Sequence, residues 1–140
     1  MAFQEKMAWA MVGILTVTGA LYYAWVFWAT TQLGHLPPPI LPFLVVYVVL
    51  IIVAAALMAA GFAITNPSEA NAPLDERERL IQFKSAAQSG RVFGFLIVVG
   101  LIDFAVFQNG NRFFHIAFAA LIISQILEYG LTVLFYRRGT

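Results

Sequence analysis

Four long apolar runs separated by short polar or proline-bearing stretches make up the chain. They cover about Met7–Thr30, Ile40–Ile64, Gly90–Gln108 and Arg112–Tyr136, and none shows the polar face that a helix half-exposed to water would need. Crossing the hydrocarbon core of a bilayer takes about 20 apolar residues, and each run comes close to that length. The pattern predicts an all-α integral membrane four-helix bundle, one transmembrane domain over residues 1–140, with helices at about 7–30, 40–64, 75–108 and 112–136.

The polar punctuation sets the helix ends. Glu5 and Lys6 precede the first helix, Trp9 lies near one end of it and Tyr22, Tyr23, Trp25 and Trp28 lie near the other, as interfacial aromatic belts would. Gln32-Leu33-Gly34-His35-Leu36-Pro37-Pro38-Pro39 then reads as a short rigid turn. The second helix opens near Ile40, tolerates Pro42 in its first turn and stops before Asn66-Pro67. Its run Ala54-Ala55-Ala56-Leu57-Met58-Ala59-Ala60-Gly61 is small enough for a neighbouring helix to approach, so that face is expected to be buried.

Asp75 followed three residues later by Glu78 is a capping-box pattern, with Pro73 just outside it. A third helix therefore starts at Asp75, and Gly90 and Gly94 weaken it without breaking it before Phe107. Their Gly-x-x-x-Gly spacing permits close helix contact within one chain or between two. Asn109-Gly110-Asn111 reads as the tight turn into the fourth helix, and Arg137-Arg138-Gly139 follows that helix. Residues 66–90 form the charged linker and the root of the third helix, which is expected to extend into the cytoplasm.

Composition agrees with this pattern and narrows the chemistry. With 61% hydrophobic and 11% charged residues, and a mean hydropathy of +0.84, the chain is no ordinary soluble domain. A net charge of +1 without a basic patch away from the membrane flanks gives no reason to expect nucleic-acid binding. The absence of cysteine removes disulfides, thiolate metal sites and thiol nucleophiles. The first apolar run is longer than a signal-peptide core and is expected to stay as a helix. Lys6, Arg77, Arg79, Lys84, Arg91, Arg137 and Arg138 fall on the linker side and only Arg112 on the other, so the positive-inside rule predicts both termini in the cytoplasm.

Ionisable groups inside a membrane are costly and are functional candidates by default. Asp103 and Glu128 are the two such acids. If the last hairpin folds about Gly110 and Asn111, residues whose numbers sum to about 221 lie at equal depth, each residue of offset being about 1.5 Å. Arg91 then falls near Glu128, and Asp103 near His115, with Gln108 and Arg112 close by. One reading is a proton or cation path running from Asp103 and His115 through Ser124, Gln125 and Glu128 to Arg91. The other is that these pairs lock the hairpin, the commoner use of satisfied intramembrane pairs. His35 and His115 raise the possibility of haem or pigment ligation, but two histidines are a weak signal, and neither has the spacing of a metal site. In the charged root, Arg77, Arg79, Lys84 and Arg91 could meet a partner or acidic headgroups, while Asp75, Glu76 and Glu78 offset that charge.

At Asp75-Glu76-Arg77-Glu78-Arg79-Leu80-Ile81 the chain resembles a bacterial family of small four-helix integral membrane proteins of unknown function. Phe3-Gln4-Glu5-Lys6 with Trp9, Asn66-Pro67, and Tyr136-Arg137-Arg138-Gly139 after Glu128-Tyr129 extend the resemblance over nearly the whole chain, with a departure at Gln82-Phe83-Lys84. The resemblance implies this topology and a bacterial cytoplasmic (inner) membrane. The expected function is a non-enzymatic interaction or accessory subunit of a membrane assembly, needing no cofactor or metal and touching the lipid bilayer and a protein partner or a second copy. The alternatives are a small proton- or cation-coupled transporter or channel using Asp103 or Glu128, and a haem- or pigment-binding subunit of an electron-transfer complex.

Overall fold

The computed structural model describes residues 3–65, 67, 73 and 75–138. Among these the chain forms four α-helices and no strand: α1 (Phe3–Leu33), α2 (Leu41–Thr65), α3 (Glu76–Phe107) and α4 (Gly110–Arg138). All four are long and apolar enough to cross a membrane, as the hydropathy pattern predicts. Residues 66, 68–72 and 74 of the linker, with Gly139 and Thr140, lie outside the described residues.

Local chemistry explains the ends. α1 runs on through Gln32 and Leu33 until Gly34, whose φ of +73° suits glycine and whose N–H bonds the Thr30 carbonyl at 2.9 Å. α2 opens with Pro42 in its first turn, where no helical N–H is required, and the Phe43 and Leu44 amides both reach the Ile40 carbonyl at 3.1 Å. The capping box of α3 is present: the Glu78 N–H donates to Asp75 Oδ1 at 2.6 Å and the Asp75 N–H to Glu78 Oε2 at 3.3 Å.

The α3–α4 turn departs from expectation. It is built on Gln108 and Asn109, not on Asn109-Gly110-Asn111. Gln108 takes the left-handed conformation at φ 52° and closes α3 with its N–H on the Phe104 carbonyl at 2.8 Å. Asn109 then caps α4, its Oδ1 accepting the Arg112 N–H at 3.0 Å. Asparagine can cap as well as turn, so two residues expected in the loop are helical instead. Equal depth in this hairpin therefore corresponds to residue numbers summing to about 217 rather than 221, a shift of about 6 Å along one helix.

The helices pack in the lateral order α3, α4, α1, α2. α1 buries a narrow stripe, Ala8, Leu15, Thr18, Tyr22, Val26 and Ala29, at helical spacings of three, four and seven. α3 buries Ile81, Ser85, Ser89 and Gly100. Two glycines mark the closest approaches. A Cβ on Gly19 would lie 3.0 Å from Ile122 Cγ2, and one on Gly100 would lie 3.0 Å from Ile116 Cγ2. The Gly90 and Gly94 positions, by contrast, have nothing within 4 Å.

The expectation that the alanine-rich half of α2 is buried is not met: no residue of α2 is buried within the chain. Lipid is as apolar as leucine, so nothing drives this helix inward. It docks instead through rings, Phe43 stacking on Trp25 at 4.7 Å and Tyr47 meeting Phe118 edge-on at 5.3 Å.

Candidate functional site

The polar side chains gather at the two ends of the helix layer. At the end carrying the α1–α2 and α3–α4 turns, His115 is buried with both ring nitrogens engaged. Nε2 lies 2.9 Å from the Pro37 carbonyl, which can only accept, so Nε2 carries a proton. In the neutral ring Nδ1 is then the acceptor, and it takes the Tyr22 hydroxyl at 3.2 Å. Tyr23 donates to the backbone carbonyl of His115 at 2.6 Å, and Asn111 Nδ2 reaches the Leu36 carbonyl at 3.5 Å. His115 thus fastens the proline turn to α4. The expected His115–Asp103 bond is not made: the His115 ring is engaged by Tyr22 and the Pro37 carbonyl, and Asp103 pairs with Arg112. His35 is exposed, with Nδ1 3.1 Å from the adjacent Leu36 carbonyl. His115 presents no free nitrogen to a haem iron.

Asp103 pairs with Arg112, Oδ1 to Nη2 at 2.7 Å, and the Arg112 guanidinium lies 4.3 Å from the centre of the Phe107 ring. Asp103 Oδ2 is buried without a hydrogen-bond partner. Gln108 turns to the Ala105 carbonyl and Ser124 to the Leu121 carbonyl of its own helix. Gln125 is half-buried, with no side-chain hydrogen bond to the described residues. The residues expected to form a path are therefore not linked into one.

The other end holds both described helix termini and the root of α3. Arg137 Nε lies 3.5 Å from Glu5 Oε1, and its guanidinium sits 5.4 Å from the Trp9 ring centre, tying α4 to α1. The Tyr136 hydroxyl donates to Glu78 Oε1 at 3.1 Å, tying α4 to α3. Glu78 thus serves both the cap and the helix contact, with Asp75 its partner in the cap. Glu76, Arg77, Arg79 and Lys84 are exposed.

Glu128 belongs to this charged end. The expected Arg91 pairing is absent: Arg91 is exposed, and Ser89 Oγ lies 3.1 Å from Glu128 Oε2. Depth does not decide it, since Arg91 is two residues from level with Glu128 in either register; Ser89 is on the buried side of α3 and Arg91 on the exposed side. Ser89 Oγ is also 3.1 Å from the Ala86 carbonyl, so its single proton serves one acceptor at a time. Among the described residues Glu128 has no cationic partner within ion-pair distance. It faces a cavity of about 570 Å³ between α1, α3 and α4, lined also by Gln4, Arg79, Gln82, Phe83 and Tyr129. Among the described residues no cluster of three or more His, Asp or Glu is placed to hold a metal.

Sequence reasoning singled out Asp103, His115, Glu128 and the charged root but missed Glu5, Tyr22, Ser89 and Tyr136. For Ser89 a signal existed, the hairpin register, once the turn is set at Gln108-Asn109. Tyr22 looked like one more interfacial aromatic, and its bond crosses between sequence-distant helices.

A family model described as "Predicted membrane protein (DUF2178)" matches residues 4–140. No curated protein and no solved structure matches the chain.

Proposed function

We propose that this chain, which belongs to the family of predicted membrane proteins DUF2178, serves as a non-enzymatic interaction or accessory subunit of an assembly in a bacterial cytoplasmic membrane. The observation that carries the reading is α2, a 25-residue helix with no residue buried in its own chain. Its Ala54, Ala55, Ala59, Ala60 and Gly61 lack the bulk that keeps helix backbones apart. The open Gly90 and Gly94 positions on α3 offer a second close-approach face, at the opposite edge of the layer. In lipid such faces associate through tight backbone packing rather than through a hydrophobic drive. The clustering of Arg77, Arg79, Lys84, Arg91, Arg137 and Arg138 supports a cytoplasmic charged end.

The test is native mass spectrometry of the protein released from its own membranes in mild detergent. A reproducible heteromer is expected, and Ala55→Leu with Ala59→Leu, or Gly90→Leu with Gly94→Leu, is expected to dissolve it while the single chain stays folded. A protein found only alone or with copies of itself would sink the reading.

A second reading, a small proton- or cation-coupled transporter, is favoured by one observation: Glu128 lines a cavity without a cationic partner among the described residues. It predicts that Glu128→Gln abolishes ion flux in proteoliposomes. Unchanged flux would remove it.

A further inference from the structure

The cavity at the charged end brings together two side chains of opposite sign that do not satisfy each other. Arg79 is exposed and Glu128 half-buried, both line the cavity, and neither has an ion pair among the described residues. Gln4, Gln82 and the Tyr129 hydroxyl, also in the lining, make no side-chain hydrogen bond to described residues, so neutral donors and acceptors stand between the two charges.

The helix register orders them. Ser89 is level with Glu128, to which it is bonded. Arg79 precedes Ser89 on α3 by ten residues, about 15 Å nearer the charged end. The anion-binding group is therefore at the mouth and the cation-binding group deep inside.

That order rejects the simple occupants. A metal cation bound at Glu128 makes no use of Arg79, and an inorganic anion at Arg79 leaves the half-buried Glu128 without a counter-charge. A hydrocarbon chain would strand the half-buried Glu128 and the amides at the desolvation cost of each. A zwitterionic phospholipid has its phosphate between the acyl chains and the ammonium, so seating its ammonium at the deeper Glu128 would require the lipid to be inverted.

We propose that the cavity binds an elongated, water-soluble zwitterion, its ammonium on Glu128 and its carboxylate or phosphate on Arg79, with the charge spacing of a short peptide. An extended tripeptide spans about 10 Å, and a charge-assisted contact of about 2.8 Å at each end brings its reach to about 15 Å, the axial separation of the two backbone positions. The 570 Å³ volume lies within the range of small-molecule sites. Binding of this kind holds whether the ligand is only sensed or also carried, and it requires no partner subunit.

Isothermal titration of the full chain in phosphatidylcholine nanodiscs tests it with three probes: triglycine, triglycine amide without the anion, and N-acetyltriglycine without the cation. Triglycine is expected to bind, and each capped form about tenfold more weakly, the loss of one charge-assisted contact. Arg79→Gln is expected to erase the preference over the amide, and Glu128→Gln the preference over the acetylated form. The Arg79 side chain is exposed and makes no hydrogen bond or ion pair to the described residues, so its variant separates binding from folding. No binding of triglycine, equal binding of all three probes, or preferences unchanged by both variants would overturn the proposal. So would binding of dihexanoylphosphatidylethanolamine in place of triglycine, which would assign the cavity to a lipid headgroup.

Discussion

Replacing His115 by phenylalanine keeps a ring in the buried slot and deletes both of its hydrogen bonds. The Pro37 carbonyl, itself buried, loses an N–H at 2.9 Å, and the Tyr22 hydroxyl loses an acceptor at 3.2 Å. Stranding one buried polar group costs about 1–3 kcal/mol in water-soluble proteins. Bonds between membrane helices average only about 0.6 kcal/mol, with a maximum of about 1.7, because the unfolded chain in lipid also finds partners. Two such losses put His115→Phe at about 1–3 kcal/mol. Tyr22→Phe removes one of the two and should cost about 1 kcal/mol or less. Equilibrium unfolding in mixed detergent, followed by tryptophan fluorescence, reads this region directly, since Trp25 stacks on Phe43 of α2 at 4.7 Å. The exposed His35, bonded only to its neighbour's carbonyl, is the control. His35→Phe should unfold with the wild type. Should His115→Phe unfold there too, or His35→Phe fall as far as His115→Phe, the assignment of His115 as the fastener of the turn is wrong.

Two further contrasts use the same assay. Gly100→Ala puts a methyl 3.0 Å from Ile116 Cγ2 and should destabilise by about 1–3 kcal/mol through overpacking. Gly94→Ala meets nothing within 4 Å and should stabilise α3 by about 0.4–1 kcal/mol; the reverse ranking would refute the packing described. Arg112→Ala strands Asp103, whose side chain is 14% exposed against 43% for Arg112 and whose Oδ2 already lacks a partner. That should cost about 1–3 kcal/mol, less than in a fully buried pair because Arg112 is only partly covered. Asp103→Asn removes the charge along with the need for a partner, and should cost less than Arg112→Ala; an equal or larger loss would count against the pair.

Much of the fold was legible because its signals are local. The lengths of the apolar runs, Pro42 in a first turn and the Asp75–Glu78 capping box each depend on a few adjacent residues, and each is found in the structure. Lateral order was not legible. A helix that is apolar all round carries no mark of which side meets protein and which meets lipid, so the alanine run of α2 read as buried when it is open. The Gly90/Gly94 spacing left contact within one chain or between two open, and within this chain it is not used, because small residues permit a close approach without compelling one. The approach is made at Gly19 and Gly100, set between larger apolar residues and lacking any motif.

The candidate site shows how a small local ambiguity propagates. Asparagine can turn or cap, and setting the hairpin at Gly110-Asn111 rather than Gln108-Asn109 slides α3 past α4 by about 6 Å. That moves the position level with Glu128 between residues 93 and 89, with Arg91 about 3 Å off level in both cases, so depth alone made the acid look satisfied when Arg91 is on the exposed side of α3. With the turn where it is, a serine hydroxyl meets the carboxylate instead. A hydroxyl can hydrogen-bond a carboxylate but cannot neutralise it, so Glu128 has no counter-charge from its own chain among the described residues. Asp103, by contrast, has Arg112 at 2.7 Å. The two intramembrane acids thus part company: Asp103 is held in an ion pair at the turn end, and the unbalanced charge sits at the charged end, beside a cavity whose other charged wall is Arg79. Variants at Glu128 and Arg79 should therefore move ligand binding more than stability, and variants at His115 and Arg112 the reverse.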